Sequence, residues 1–287
     1  MVTRFSWRQP RSWSLLLLLC LLLTGCATRV IYYWLDSAIV WQLDDYFSLD
    51  RSQKTLLDKE VKGLMAWHRQ HELPIYARDL DALARAVASP MTPAQVTLHL
   101  DRTQASLTRT LENAIPRTVR LASTLTDAQV ARFMTDRVKR QQERKHDFAT
   151  EPKAQMLKEF REKMSERLVF WIGKVKPAQE PLIAQWAEWQ YEMMPPWLEF
   201  QEAWTKELER LMKQRQDPDF GKELTRLLQQ GDGLMDGRFT GYTDQSRQRT
   251  IQWLSALSQS MDLSQRAHLY TLLKDYAEDF EAMTRSR

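Results

Sequence analysis

Apolar residues recur every three or four positions through nearly the whole chain, and this spacing constrains the fold more than any other feature. Three such stripes are Leu35, Ile39, Leu43 and Tyr46; Tyr76, Leu80, Leu83 and Val87; and Leu269, Leu272 or Leu273, Tyr276, Phe280 and Met283. Side chains three and four apart share one face of an α-helix, so each stripe is a surface to bury. Glycine is scarce, at 8 of 287 residues, and no alternating β-branched run competes. The sequence therefore predicts an all-α fold, a multi-helix bundle.

A five-residue signature marks the expected helix starts: an apolar residue, a polar residue, any residue, Ala or Ser, and Gln. Its copies begin at Leu49, Met91, Leu125, Val175 and Met261. We expect the polar residue to cap the helix, while the Gln three positions later bonds back to the cap amide. The copies are irregularly spaced, so the signature marks individual helix starts and does not define a repeat array.

Prolines and glycines predict where the helices end. Breaks are expected at Pro74, Pro90, Pro116, Pro195–Pro196 and Pro218. The stretch 221–241 holds five of the eight glycines and predicts a mobile loop outside helices. Residues 30–90 are expected to form a compact helical subassembly.

The first 26 residues have the three parts of a signal for lipid attachment. Arg4, Arg8 and Arg11 precede a Leu-rich run that is too short to span a bilayer, and Leu23-Thr24-Gly25-Cys26 ends it. This resembles a bacterial lipoprotein signal. The resemblance implies cleavage of residues 1–25 as a signal peptide, acylation of Cys26 with fatty chains such as palmitate, and a mature helical domain of residues 26–287.

The residues after the cleavage point predict the location and restrict the chemistry. Ala27 follows Cys26, where the lipoprotein sorting rule expects Asp for inner-membrane retention, so we expect the outer membrane, facing the periplasm. Cys20 lies in the removed segment and Cys26 is acylated, which leaves no thiol for a disulfide or nucleophile. Loss of three signal arginines lowers the formal charge from +4 to +1, so no nucleic-acid partner is predicted. The charged run 137–153 is interpreted as the solvated part of a long helix.

Two polar clusters were weighed as catalytic or metal sites. His68 and His71 share a helical face with Glu72, but they lack a third ligand, and a partly buried helix end explains them better. Asp44 and Asp45 are adjacent on a helix and point about 100° apart, so helix capping explains them better than acid–base work. We predict no catalytic, cofactor-binding or metal-binding residue.

A Trp-rich segment around Pro195–Pro196 gives the candidate binding surface, consisting of Trp189, Trp197, Phe200 and Trp204. One interpretation is two core helices that meet at a Pro-Pro corner. The other is a groove for an apolar peptide, an acyl chain or a sugar face, since aromatic and Met side chains suit adaptable contacts.

Several segments after the lipid signal resemble a known family. They are residues 32–36, 41–49, 53, 67–69 and 72–77. The chain resembles the bacterial lipoprotein family catalogued as domain of unknown function 6279, most clearly over residues 26–80. The resemblance implies an all-helical envelope lipoprotein and no particular activity. The Leu-Thr-x-x-Gln element at 125–129 is also similar to the small helical periplasmic chaperones of envelope stress.

These observations leave three functional hypotheses. The first is a lipid-tethered interaction or scaffold module in the periplasm, held to the bilayer through Cys26 and facing an envelope protein. The second is a chaperone-like binder of envelope proteins. The third is an enzyme that uses Asp45, His68, His71 or Glu72, which then must line a concave pocket. The sequence shows no set of nucleophile, base and oxyanion-binding residues, so we prefer the interaction or scaffold module to the enzyme. A binding module predicts an exposed apolar patch near Trp189–Trp204.

Overall fold

The computed structural model describes residues 26–230, 234 and 238–285, and this part of the chain is helical without any strand. The predicted all-α multi-helix bundle is confirmed. The first five helices are α1 (Cys26–Phe47), α2 (Arg51–His71), α3 (Leu73–Val87), α4 (Pro93–Ala122) and α5 (Asp127–Thr150). They are followed by α6 (Lys153–Ile172), a 3-10 turn (Pro177–Gln179), α7 (Glu180–Lys213), α8 (Phe220–Gln230), α9 (Arg238–Ser260) and α10 (Leu263–Arg285).

The predicted signal peptide, residues 1–25, lies outside the described residues. Among the helices that the structure describes, none combines the length and hydropathy that a bilayer-crossing segment needs.

The helix-start signature forms capping boxes, as predicted. At α2, the Asp50 carboxylate accepts the amide of Gln53, whose side chain accepts the amide of Asp50. The same reciprocal pair caps α4, α5 and α10. The apolar residue that opens each of these four copies is buried, so the signature both starts a helix and anchors it. The copy at Val175 instead opens the 3-10 turn.

The capping glutamines also bind one another across the fold. The side-chain amides of Gln53 and Gln129 exchange hydrogen bonds of 3.0 and 2.7 Å, and those of Gln179 and Gln265 exchange two of 3.0 Å. Each of the four side-chain nitrogens donates a second hydrogen bond, to a backbone carbonyl or a serine hydroxyl oxygen. We call these the glutamine pairs. They join the starts of α2 and α5, and the starts of α7 and α10, with every polar atom satisfied.

Three clusters of apolar side chains hold the bundle together. The first core collects buried residues mainly from α2, α4, α5, α7 and α8, the second core from α6, α7 and α9, and the third from α3, α4, α9 and α10. Helix α7 belongs to two of them, since Ile183 lies in the second core and Leu211 in the first.

Two of the predicted proline breaks are wrong. Pro116 lies inside α4, and Pro195–Pro196 lie inside the 34-residue α7. Burial on both sides of the prolines, at Ile183 and Leu208 in α7, keeps the helix continuous despite the lost backbone bonds. Pro74 and Pro218 lie at a helix start and between helices, as predicted.

The predicted loop at 221–241 is also wrong at both ends. Residues 221–230 belong to α8 because Leu224 and Leu227 pack into the first core. Residues 238–241 belong to α9, where Phe239 is buried. Of the intervening residues only Leu234 is described, and it is exposed. Only two of the five glycines, Gly221 and Gly241, lie in these helical ends, where buried apolar residues determine the structure.

The expected subassembly of residues 30–90 is not self-contained. Helix α3 packs far more extensively against α10 than against α2, its neighbour in sequence. The stripe on α3 therefore finds its partner at the opposite end of the chain.

A half-exposed arginine pair ties α4 to α2. The nearly buried Glu60 accepts hydrogen bonds from Arg120 Nε at 2.8 Å and Arg117 Nη1 at 3.1 Å. These bonds hold the pKa of Glu60 below its usual range, and the bond from Arg120 has the largest effect. Gly63 makes room for this contact, since a Cβ atom there would lie 2.7 Å from Arg117 Nη1.

Candidate functional site

Glu72, one of the residues of the enzyme hypothesis, is fully occupied by a structural ion pair. It lies between α2 and α3 with 1 % of its surface exposed. Arg109 on α4 donates to its two oxygens, from Nε at 2.8 Å and Nη2 at 2.9 Å, and Nη2 also reaches the buried Ser106. A bidentate guanidinium–carboxylate pair leaves little capacity for proton transfer to a substrate. Glu72 therefore holds helices together.

His68 lies in an aromatic surround one turn before Glu72. The Tyr32 hydroxyl is 3.0 Å from His68 Nδ1, and Tyr76 meets the imidazole edge-on at 5.3 Å between centroids. Burial lowers the pKa of His68 and raises the pKa of Tyr32 to about 12. At neutral pH the imidazole is thus neutral, and the phenol can donate to it.

The two remaining residues of the enzyme hypothesis lie elsewhere. His71 is exposed and stacked on Trp67, and Asp45 is exposed on α1. A groove of about 480 Å³ between α3 and α4 and one of about 430 Å³ between α3 and α10 contain none of the four residues. Within the described ranges, no group of His, Cys, Asp and Glu could hold a metal ion.

The burial of His68 predicts a pH dependence of stability. Because its pKa is lowered in the folded state, the unfolded chain binds more protons below the ordinary value of about 6.5. The free energy of unfolding should therefore fall as the pH drops below 6.5, by up to about 1.4 kcal/mol per pH unit from this group. Urea unfolding of His68→Gln between pH 7 and 5 should show a flatter profile than the unmodified chain.

His71→Gln, which changes an exposed histidine on the same helix, is the matched control. His99, half-buried on α4, also has a pKa lowered mainly by burial, so some slope remains in His68→Gln. Identical profiles for His68→Gln and the unmodified chain would contradict the prediction.

The predicted apolar surface of the Trp-rich segment is not exposed. Its four aromatic side chains, Trp189, Trp197, Phe200 and Trp204, are all half-buried. Trp204 packs against the first core and Trp189 against the second, while Phe200 stacks on Phe239 at 4.0 Å. Three of the four side chains therefore pack against different parts of the bundle, and the predicted corner between two helices is absent because α7 is continuous through Pro195–Pro196.

Exposed aromatic residues lie instead on α1. Trp34 is 68 % exposed and Trp41 72 %, and Val30 and Tyr33 are exposed beside them. We call these four residues the α1 face. None of the exposed residues of α1 between Val30 and Trp41 is charged, and Ser37 and Ala38 complete the surface. Half-buried Asp36 and Arg69, whose guanidinium lies over the Tyr33 ring at 5.7 Å, border it. The opposite side of α1 packs into the first core through Tyr32, Leu35, Ile39 and Leu43.

Helical spacing in the sequence carried the signal for the α1 face. Positions 30, 34, 37, 38 and 41 fall on one side of a helix, opposite the predicted stripe of Leu35, Ile39 and Leu43. Sequence reasoning used the stripe and overlooked the aromatic residues opposite it.

A second unusual surface lies on α5, within the run predicted to be a solvated helix face. Three arginines there are half-buried, and each guanidinium carbon lies over an aromatic ring: Arg137 over Trp204 at 4.6 Å, Arg140 over Tyr46 at 5.3 Å and Arg144 over Trp197 at 5.6 Å. We call these three residues the arginine row. Burial, and then repulsion by the neighbouring arginines, lowers the pKa of Arg137 to about 10.

Comparison with known proteins identifies the family. By fold the protein is an all-α bundle that carries an uncharged aromatic face on its first described helix. The chain belongs to the Family of unknown function (DUF6279), whose model matches residues 45–239. The family suggested by the sequence is thereby confirmed, without its lipoprotein character, and the match assigns no activity. No curated protein and no solved structure matches the chain. The match does not include Cys26, so lipid attachment stays a prediction.

Proposed function

We propose that this protein is a lipid-anchored interaction module on the periplasmic face of the outer membrane, attached through Cys26. The observation that carries the proposal is the α1 face. Helix α1 begins at Cys26 and exposes Val30, Tyr33, Trp34 and Trp41, and no exposed residue between Val30 and Trp41 is charged. Exposed contiguous apolar surface on a charged protein marks a membrane or protein contact.

The position of the α1 face relative to Cys26 favours the membrane. Trp34 and Trp41 lie about 12 and 22 Å along the helix from Cys26, at 1.5 Å per residue. Each headgroup layer of a bilayer is only roughly 5–8 Å thick. Both tryptophans therefore reach the layer that Trp and Tyr prefer only if α1 lies along the membrane surface. In that orientation the other side of α1 holds the bundle against the bilayer.

The interaction module is favoured over an enzyme because the candidate catalytic groups are engaged in structure. Glu72 is bound by Arg109, and His68 is enclosed by Tyr32 and Tyr76. A chaperone-like binder needs a large accessible apolar patch. In the proposed orientation the α1 face lies against the bilayer and offers no such patch to a client chain.

Two measurements test the anchor and the orientation. Metabolic labelling with a fatty-acid analogue should label the unmodified chain and leave Cys26→Ala unlabelled. In vesicles that contain brominated phospholipid, part of the tryptophan fluorescence should be quenched, and Trp34→Phe with Trp41→Phe should remove most of that quenching. Trp189→Phe, which changes a half-buried residue of the second core, is the control and should keep it.

Equal labelling of Cys26→Ala would exclude Cys26 as the anchor. Equal quenching with and without Trp34 and Trp41 would place the α1 face away from the lipid, and a protein partner or a second copy would then be its occupant.

A further inference from the structure

Several half-buried arginines elsewhere in the bundle have a carboxylate partner, which the arginine row lacks. Arg109 is paired with Glu72, Arg117 with Glu60, and Arg249 with Glu192. Among the residues that the structure describes, no carboxylate lies within ion-pair distance of Arg137, Arg140 or Arg144. The three are spaced three and four positions apart, so they follow one another along one side of α5 over about 10 Å.

The elements that pack against the arginine row offer it almost only neutral groups. Helix α7 contributes Trp197, Gln201, Trp204 and Thr205, and α1 contributes Tyr46. Glu202 lies next to Gln201 on α7, but it already forms ion pairs with Lys145 and Lys206. Three like charges therefore share a half-buried site without an ion pair, and Glu143 on the same helix attracts only Arg144, at longer range.

The hydrogen-bonding capacity of the arginine row is largely unused. A guanidinium has five N–H donors. Arg137 Nε donates to the Thr205 hydroxyl at 3.1 Å and Arg144 Nη2 to the Gln201 side chain at 3.1 Å, whereas Arg144 Nε is buried with no hydrogen-bond partner in the described part of the chain. The aromatic rings cover one face of each guanidinium and fix its plane, but they accept none of the in-plane donors.

We propose that the arginine row binds a ligand that carries two or more phosphate or carboxylate groups. Guanidinium forks match both anions with paired hydrogen bonds. Steps of about 4.5 and 6 Å between successive arginines along α5 suit neighbouring anionic groups of one molecule. Such a ligand neutralises the row and uses its free donors, which the stacked rings hold in position. A phosphorylated headgroup and a free polyphosphate share this chemistry.

Calorimetric titration of the full chain in detergent tests the site, with inorganic tripolyphosphate as the probe at constant ionic strength. We expect saturable binding that weakens at least about tenfold in Arg140→Gln, the loss typical of a hydrogen bond to a charged group. Lys139→Gln removes the same charge from an exposed position on the same helix and should change the dissociation constant less than about twofold. Arg140→Lys, which keeps the charge and loses the fork, should lie between them.

A purely structural role for Arg140 predicts that Arg140→Gln lowers the melting temperature without ligand. A binding role predicts the same or a higher melting temperature, since the substitution removes one of three repelling charges. No saturable binding to the unmodified chain, or equal binding to Arg140→Gln, would overturn the proposal.

Two further probes distinguish the sources of the anionic groups. Binding of phosphatidic acid vesicles that depends on Arg140 identifies a headgroup, and its absence beside tripolyphosphate binding identifies a free polyphosphate. Binding of hexaglutamate that depends on Arg140 identifies an acidic peptide instead. Neither titration requires acylation of Cys26, so the proposal stands or falls separately from the anchor.

Discussion

Gln265→Glu is expected to lower the free energy of unfolding by about 3–5 kcal/mol, the cost of an uncompensated buried charge. Gln265 is 2 % exposed, and its side-chain nitrogen donates to the Lys174 carbonyl at 2.8 Å and to Gln179 at 3.0 Å. A carboxylate cannot donate either bond, so it would face two acceptor oxygens without water. Thermal or urea unfolding measured at pH 7 checks the value.

Gln95→Glu is the matched control because Gln95 holds the same place in the capping box of α4. There the side chain is exposed and accepts the amide and the hydroxyl of Thr92, which a carboxylate does equally well. Its expected change is within about 0.5 kcal/mol. Equal effects of the two substitutions would show that the glutamine pair contributes nothing beyond capping.

Arg109→Ala is expected to destabilise the fold by a similar amount, about 3–5 kcal/mol, because it leaves the buried Glu72 carboxylate without its partner. Lys62→Ala, which breaks the exposed pair with Asp58, should cost less than about 1 kcal/mol. Denaturant titration of both variants supplies the comparison.

A double substitution separates the charge from the side-chain volume. Glu72→Met with Arg109→Met removes both charges and keeps apolar bulk, so it should recover most of the stability that Arg109→Ala loses. A double variant as unstable as the single one would show that packing, and not the unpaired carboxylate, dominates at this junction.

The local features of the fold could be predicted from the sequence because their causes lie within a few residues. Asp50 and Gln53 form a capping box from side chains three positions apart, and the stripe of α10 follows from helical spacing. Which distant residue each side chain meets could not be predicted. Gln53 binds Gln129, and Glu72 binds Arg109, through contacts that depend on the docking of whole helices.

The same reason explains the errors at prolines and glycines. A proline removes one backbone bond, a local effect that predicts a break at Pro116, but burial of Ile115 and Leu121 around it favours a continuous helix. Residues 221–230 of the predicted loop, in which Gly221 is the only glycine, are helical because Leu224 and Leu227 reach the first core. Tertiary burial outweighs local propensity in each case.

Of the two candidate surfaces, the α1 face could be predicted from the sequence and the arginine row could not. Periodicity identifies the buried side of α1 and, by difference, the exposed Trp34 and Trp41. The arginine row was interpreted as a solvated face, because nothing local to Arg137 or Arg144 indicates that Trp204 and Trp197 lie beneath them. Charge patterns describe a helix alone and cannot show what packs against it.

Helix α7 also determines where the bundle bends most easily. One end of it is packed in the second core at Ile183 and the other in the first at Leu211, with Pro195–Pro196 between them. The prolines have no amide hydrogen, so the carbonyls of residues 191 and 192 lose their helical donors and the rod is least stiff at this point. Relative movement of the two cores is therefore concentrated within a single turn of helix, while each core stays packed.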